Sequence, residues 1–312
     1  MPKIKLALLS GGVSSEREVS LNSGNQVFEA LDKDRFDITR YDPATDLKQL
    51  VEDAADIDVA MVLLHGPYGE DGTVQGLLDL LGIPYQGAGV LGSAAAMNKL
   101  TSKRLYREAG IKVPEYMVLD AKNPPEPYAV TDQMELPVVV KPACAGSSVG
   151  MTIVKRESGL QEAMDKAFEH DDCVLVEDYI KGTELTCGVI GNNDVRALPV
   201  IEIVPGKDHE FFDYKAKYLP GATEEICPAR IDDHTTRQVR EIAVKAHHAL
   251  FLKGYSRTDL LLSRGDLYVL ETNTIPGMTA TSLYPQAAGV AGYSFTALLD
   301  ELVDLALSIH KR

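Results

Sequence analysis

The chain has 312 residues, a formal net charge of −15 and a hydrophobic fraction of 45%, with a pI near 4.9. This length can bury a substantial core in two or three domains, while the acid excess disfavours a nucleic-acid binder, which needs a basic face. Four scattered cysteines without a Cys-x-x-Cys pair argue against a zinc site and suit free thiols in a reducing, cytoplasmic setting.

Taken in order, residues 1–97 alternate strand and helix: a strand over Ile4–Leu9, a helix over Glu16–Leu31, a strand over Phe36–Tyr41, a helix near Leu47–Ala55, a strand over Val59–Leu64 and a helix over Thr73–Leu81. The short first apolar run reads as a strand and not as a signal peptide, and no stretch approaches the ~18 apolar residues of a membrane span. The rhythm predicts a parallel sheet with function at the C-terminal ends of its strands. Two loops lie at such ends. One follows Leu9 and carries Gly11, Gly12 and Glu16; it lacks the Gly-x-Gly-x-x-Gly of a dinucleotide site. Glu16 reads either as a first-turn acid that favours the helix dipole or as a partner for a substrate ammonium. The other loop runs from His65 through Gly66, Glu70 and Asp71 to Gly72.

Residues 98–182 read as a compact α+β unit, entered by a helix over Ser93–Ala109 that holds Lys99. A buried strand, Pro137–Pro142, ends in Lys141, and a buried cation there needs an anionic partner. The Ala143–Gly150 loop, with Gly146, Ser147 and Ser148, follows. Glycines and hydroxyls let such a loop wrap a polyphosphate, although it is not a Walker loop. The strand Cys173–Val176 leads into Glu177–Ile180, a crossing suited to adenine. Residues 183–312 begin with two antiparallel strands, Glu184–Ile190 and Leu198–Val204. A long loop over Gly206–Glu224, with Tyr214, Lys217 and Tyr218, has the length and polarity of an active-site lid. A helix spans Asp233–Leu252, where His247 and His248 read as structural, and the last helix spans Ser294–His310.

Before that last helix lies a β-hairpin bearing Arg257, Asp259, Glu271 and Asn273. Three hard oxygen ligands beside a guanidinium suit Mg²⁺ with phosphate. Glu271 and Asn273 share a strand face, and Asp259 joins it only if the turn loop has an odd number of residues. The expectation is a three-residue turn, Ser263-Arg264-Gly265, with Gly265 at positive φ.

Together these segments resemble the D-alanine–D-alanine ligase family of the ATP-grasp superfamily, over essentially the whole length. The resemblance is carried by Gly11–Gly24, His65–Gly72, Met97–Lys99, Lys141-Pro142 with Gly146–Gly150, Tyr214–Tyr218, Arg257–Asp259 and Glu271–Ser282. It implies an ATP-grasp fold of α/β and α+β character, with an N-terminal parallel-sheet domain (1–97) ahead of central (98–182) and C-terminal (183–312) ATP-grasp subdomains. It implies that ATP meets Lys99, Lys141, Ser148, Lys217 and the Glu177–Ile180 segment, with Glu184 on the ribose. Asp259, Glu271 and Asn273 would hold two Mg²⁺, with Mn²⁺ as a substitute. Glu16 and His65 would bind the first D-alanine, and Ser282 and Leu283 the second. Arg257 and the Gly277 N–H would stabilise the oxyanion, and Glu16, Ser147 and Tyr218 would link into a closing chain. A carboxylate phosphorylated by ATP and then captured by an amine would give D-alanyl-D-alanine for peptidoglycan. Tyr218 favours D-alanine over D-lactate as acceptor, and a homodimer is implied. Two further readings compete: another carboxylate–amine ligase of the superfamily, and a non-catalytic nucleotide-binding regulator. Cys144, inside the phosphate loop, reads as a silent small residue or as a thiol whose modification blocks ATP.

Overall fold

The computed structural model describes residues 2–144, 146, 149–206 and 223–309. Its first sheet is the predicted parallel one, in the order β2 (Phe36–Tyr41), β1 (Ile4–Leu9), β3 (Val59–Val62). Alternation along β1 splits its side chains between two cores. Ala7 and Leu9 join Leu50, Val74 and Leu78 from α2 (Leu47–Glu52) and α3 (Thr73–Leu81). Leu6 and Leu8 join Val27 from α1 (Arg17–Ala30) and four residues of the chain's last helix, Leu298, Leu299, Leu302 and Val303. The second face of the N-terminal sheet is thus covered by an element some 240 residues further along the chain.

The single helix expected over Ser93–Ala109 is two helices, α4 (Val90–Met97) and α5 (Lys99–Glu108). Asn98 adopts an extended conformation between them, and its side chain accepts the Thr101 N–H, capping α5. An asparagine there competes with helix continuation and favours a new start, so Lys99 stands at a helix N-terminus, where the Ala143 carbonyl accepts its N–H at 2.9 Å.

The second sheet is antiparallel, ordered β4 (Tyr116–Asp120), β7 (Cys173–Asp178), β5 (Val138–Pro142), β6 (Thr152–Val154). Val138, Val140, Val174 and Val176 pack beneath it with α6 (Pro127–Thr131) and α7 (Leu160–Phe168). Val139, Lys141 and Glu177 therefore face the other way. The third sheet is antiparallel, ordered β10 (Thr223–Ile226), β9 (Arg196–Pro205), β8 (Thr183–Ile190), β11 (Tyr255–Ser263), β12 (Asp266–Asn273). One face is buried under α8 (Asp233–Ala249). The opposite face carries Arg257 and Asp259, and beyond it lie α9 (Leu283–Val290) and α10 (Phe295–Ile309). No helix among the described residues is long and apolar enough to cross a membrane.

The hairpin turn differs from expectation. Ser263 pairs with Asp266, leaving a two-residue turn, Arg264-Gly265, with both φ values positive (51° and 88°), as a type I′ turn requires. The odd residue sits in the strand instead. Asp259 pairs with Glu271 but Leu260 pairs with Val269, so Leu270 is an extra residue in β12, a β-bulge. This shift turns Glu271 and Asn273 onto the face of Asp259.

Candidate active site

The register places Arg257 opposite Asn273 and Asp259 opposite Glu271, a square of four side chains on one sheet face. Arg257 donates from Nε to Asp259 Oδ1 at 3.0 Å and from Nη2 to Oδ2 at 2.9 Å. Asn273 Nδ2 donates to Asp259 Oδ2 at 3.1 Å, and Thr186 Oγ1, opposite Asp259 on β8, donates to Oδ1 at 2.6 Å. These charge-assisted bonds fix a carboxylate that is almost fully buried. Lys99 Nζ lies 3.8 Å from Glu271 Oε2. Two carboxylates and one carboxamide are hard oxygen donors that fit a divalent metal. Among the described residues, no three His, Cys, Asp or Glu gather into a ready-made cage. The two carboxylates and the carboxamide suit an ion such as Mg²⁺, which takes further ligands from water and phosphate.

Two cavities of about 440 Å³ each meet at this square, and both are lined by Lys99 and Glu271. The first lies between the facing sheets, with Val139, Lys141, Ile153, Ile180 and Glu184 among its walls. Apolar side chains alternate there with lysines and carboxylates, a lining that suits a nucleotide. Lys141 Nζ is held 3.0 Å from Glu177 Oε2, and the fully buried Lys103 Nζ lies 3.2 Å from Glu177 Oε1. Burial alone would raise the Glu177 carboxyl, but the two lysines outweigh it and hold it below the usual range. Burial draws Lys103 down to about 8, which leaves it protonated at neutral pH. The Glu177 side chain is thus occupied by lysines.

The second cavity is lined by Glu16, His65, Glu70, Arg257, Gly277, Ser282 and Leu283. It joins the ends of β1 and β3 to the end of the hairpin, as the strand-end loops predict. Glu16 is buried, and a Cβ added at Gly146 would lie 3.2 Å from its Oε2, so a side chain there would crowd this carboxylate. Burial lowers the buried His65, Arg257 lowers it further, and Glu16 opposes both. Glu70 accepts from the Gly66 N–H at 2.8 Å and the Ile275 N–H at 3.4 Å, and burial, aided by the Glu16 charge, pushes it up to about 8. Ser282 Oγ is 2.7 Å from Thr279 Oγ1, and a Cβ at Gly277 would lie 3.0 Å from the same oxygen.

Of the site residues expected from sequence, Ser147, Ser148, Lys217 and Tyr218 lie outside the described residues, as does Tyr214 of the same loop as Lys217 and Tyr218. The others line one or both cavities. Sequence reasoning missed Lys103, Glu70, Thr186 and Glu225 as members. Lys103 had a signal, four residues after Lys99 on one helix. Thr186 also had one, two residues after Glu184 on a strand.

The chain is matched by a family model described as D-ala D-ala ligase N-terminus over residues 40–88 and by one described as D-ala D-ala ligase C-terminus over residues 105–304. It is 59% identical to a D-alanine–D-alanine ligase of Syntrophobacter fumaroxidans, with 98% of each chain covered. It superposes on a Bacillus anthracis D-alanine–D-alanine ligase solved with ATP, with TM-score 0.87, 35% identity and 99% of each chain covered. It also superposes on the VanG D-Ala:D-Ser ligase of Enterococcus faecalis, with TM-score 0.84, 33% identity and 98% and 100% of the two chains covered.

Proposed function

The chain belongs to the D-alanine–D-alanine ligase family, and on that premise we propose that it joins two D-alanines into D-alanyl-D-alanine for peptidoglycan, converting ATP to ADP and phosphate. The observation that carries this reading is the square of Arg257, Asp259, Glu271 and Asn273 standing between two cavities that share Lys99 and Glu271. One cavity suits a nucleotide and the other suits amino acids, so a γ-phosphate and a carboxylate can meet at their junction.

ATP binds with its adenine against the Glu177–Ile180 backbone, its ribose near Glu184 and its phosphates on Lys99 and Lys141. Asp259, Glu271 and Asn273 hold two Mg²⁺, with Mn²⁺ as a substitute; bound metal supplies neutralisation of phosphate charge. The first D-alanine places its ammonium on Glu16, next to a neutral His65, and its carboxylate attacks the γ-phosphate to give an acyl phosphate. The second D-alanine, held by Ser282 and the Leu283 backbone, attacks the acyl carbon. Arg257 and the Gly277 N–H stabilise the tetrahedral oxyanion, and phosphate leaves. Ser148 and Lys217 are assigned to the nucleotide, and Glu16, Ser147 and Tyr218 to the chain that closes the cleft and protects the acyl phosphate from water. Division at residues 97 and 182, a homodimer and a cytoplasmic location complete the proposal.

Phosphate release with D-alanine, L-alanine, D-serine or D-lactate beside ATP and Mg²⁺ tests it. Turnover with D-alanine as donor and acceptor is expected; turnover with L-alanine and not D-alanine would overturn it.

A further inference from the structure

Glu225 stands on β10, at the edge of the third sheet, yet on the face that bears the site. Glu225 pairs with Ile203, Ile203 with Glu184 and Glu184 with Leu261. Directly paired residues share a face, and Leu261 shares its face with Asp259 and Arg257 by alternation. The carboxylate is half-buried and lines the amino-acid cavity on the wall that also carries Arg257, Gly277, Ser282 and Leu283. It is anchored: Gln286 Nε2, on α9, donates to Glu225 Oε2 at 2.6 Å and to the Thr281 carbonyl at 2.7 Å. Burial raises its carboxyl, against the opposing pull of Gln286 and Arg257, so it is a better proton acceptor than a solvated glutamate.

The chemistry calls for such a group. An amino-acid acceptor arrives as an ammonium, whose nitrogen has no lone pair. Glu16, Glu18 and Glu70 lie by the first-substrate wall, and Asp259 and Glu271 belong to the metal square. We propose that Glu225 binds the ammonium of the acceptor amino acid and takes one proton from it. The neutral amine then attacks the acyl phosphate. A C–N bond forms, the C–O bond to phosphorus breaks, and phosphate leaves with that electron pair and the second amine proton. The carboxylate also selects an ammonium-bearing acceptor over a neutral hydroxyl one. This inference rests on the ligase reading above.

The test uses Glu225→Gln, whose amide oxygen still accepts from Gln286, and two nucleophiles. The acceptor is D-alanine in one assay and hydroxylamine, already unprotonated at neutral pH, in the other. For D-alanine as acceptor, kcat/KM is expected to fall about 100-fold, while hydroxamate formation stays within about twofold of wild type. Glu225→Asp is expected to restore part of the loss. An acceptor kcat/KM within about threefold of wild type, or an equal loss in both assays, would overturn the proposal. A wild-type chain that makes no dipeptide would overturn the ligase reading itself.

Discussion

Lys141 reaches the nucleotide cavity because Glu177 holds it, and Glu177 keeps its charge because Lys103 shares it. Sequence marked Lys141 as a buried cation in need of an anion. It did not show that a protein carboxylate supplies one before any phosphate arrives. That partner lies 36 residues away on a neighbouring strand and is set by sheet register. Removing Lys103 leaves Glu177 with one partner in a dry site. Lys103→Met is expected to destabilise the fold by about 3 kcal/mol and to weaken ATP binding, read by urea unfolding and by nucleotide titration. Unchanged values in both would show that Lys103 does not support Lys141. Cys144 is clearer from structure than from sequence. Desolvation and Asp171 push its thiol up to about 11, so it stays protonated at neutral pH, which favours the silent reading.

At the scale of the element, the hairpin shows which part of a pattern is legible. The four site residues, their strands and the parity condition were all readable, because side-chain alternation has a fixed period. Where the odd residue falls was not, since a bulge and a longer turn satisfy the same condition. Arg264 and Gly265, both at positive φ, form the tight turn, and the shift moves to Leu270. The break at Asn98 is similar: helical periodicity runs through it, and only the capping bond to Thr101 marks a new start. The double variant Glu271→Ala, Asn273→Ala removes two corners of the square and leaves the bulge at Leu270 in place. Affinity for Mg-ATP is expected to fall at least about 100-fold, at or beyond the upper end of what loss of a supporting contact costs. Calorimetric titration measures this, with circular dichroism to confirm the fold. Retained affinity would mean that the square does not bind the metal–nucleotide.

For the whole molecule, sequence order carried the parallel first sheet and the antiparallel strands of the third, but not the antiparallel order of the second nor the return of α10 onto the N-terminal sheet. An amphipathic helix states that it needs a partner, not which one. His247 illustrates how interior packing sets bulk behaviour. It is fully buried, with Nδ1 2.8 Å from Ser256 Oγ. Burial, with the His248 charge, lowers it from 6.5 to about 4. Between those values the unfolded chain binds the extra proton, so stability is complete above pH 6.5 and is lost as pH falls toward 4. The change amounts to about 3 kcal/mol. Urea unfolding across that range is expected to show this slope in wild type and a flatter one in His247→Gln; equal slopes would remove His247 as the cause.

The central claim is that donor carboxylate and γ-phosphate meet at the junction of the two cavities. D-alanine labelled with ¹⁸O in its carboxylate tests this most directly, by mass analysis of the phosphate released. Attack by the carboxylate on phosphorus predicts one ¹⁸O in the phosphate for each dipeptide formed. Dipeptide formed with unlabelled phosphate would contradict the account.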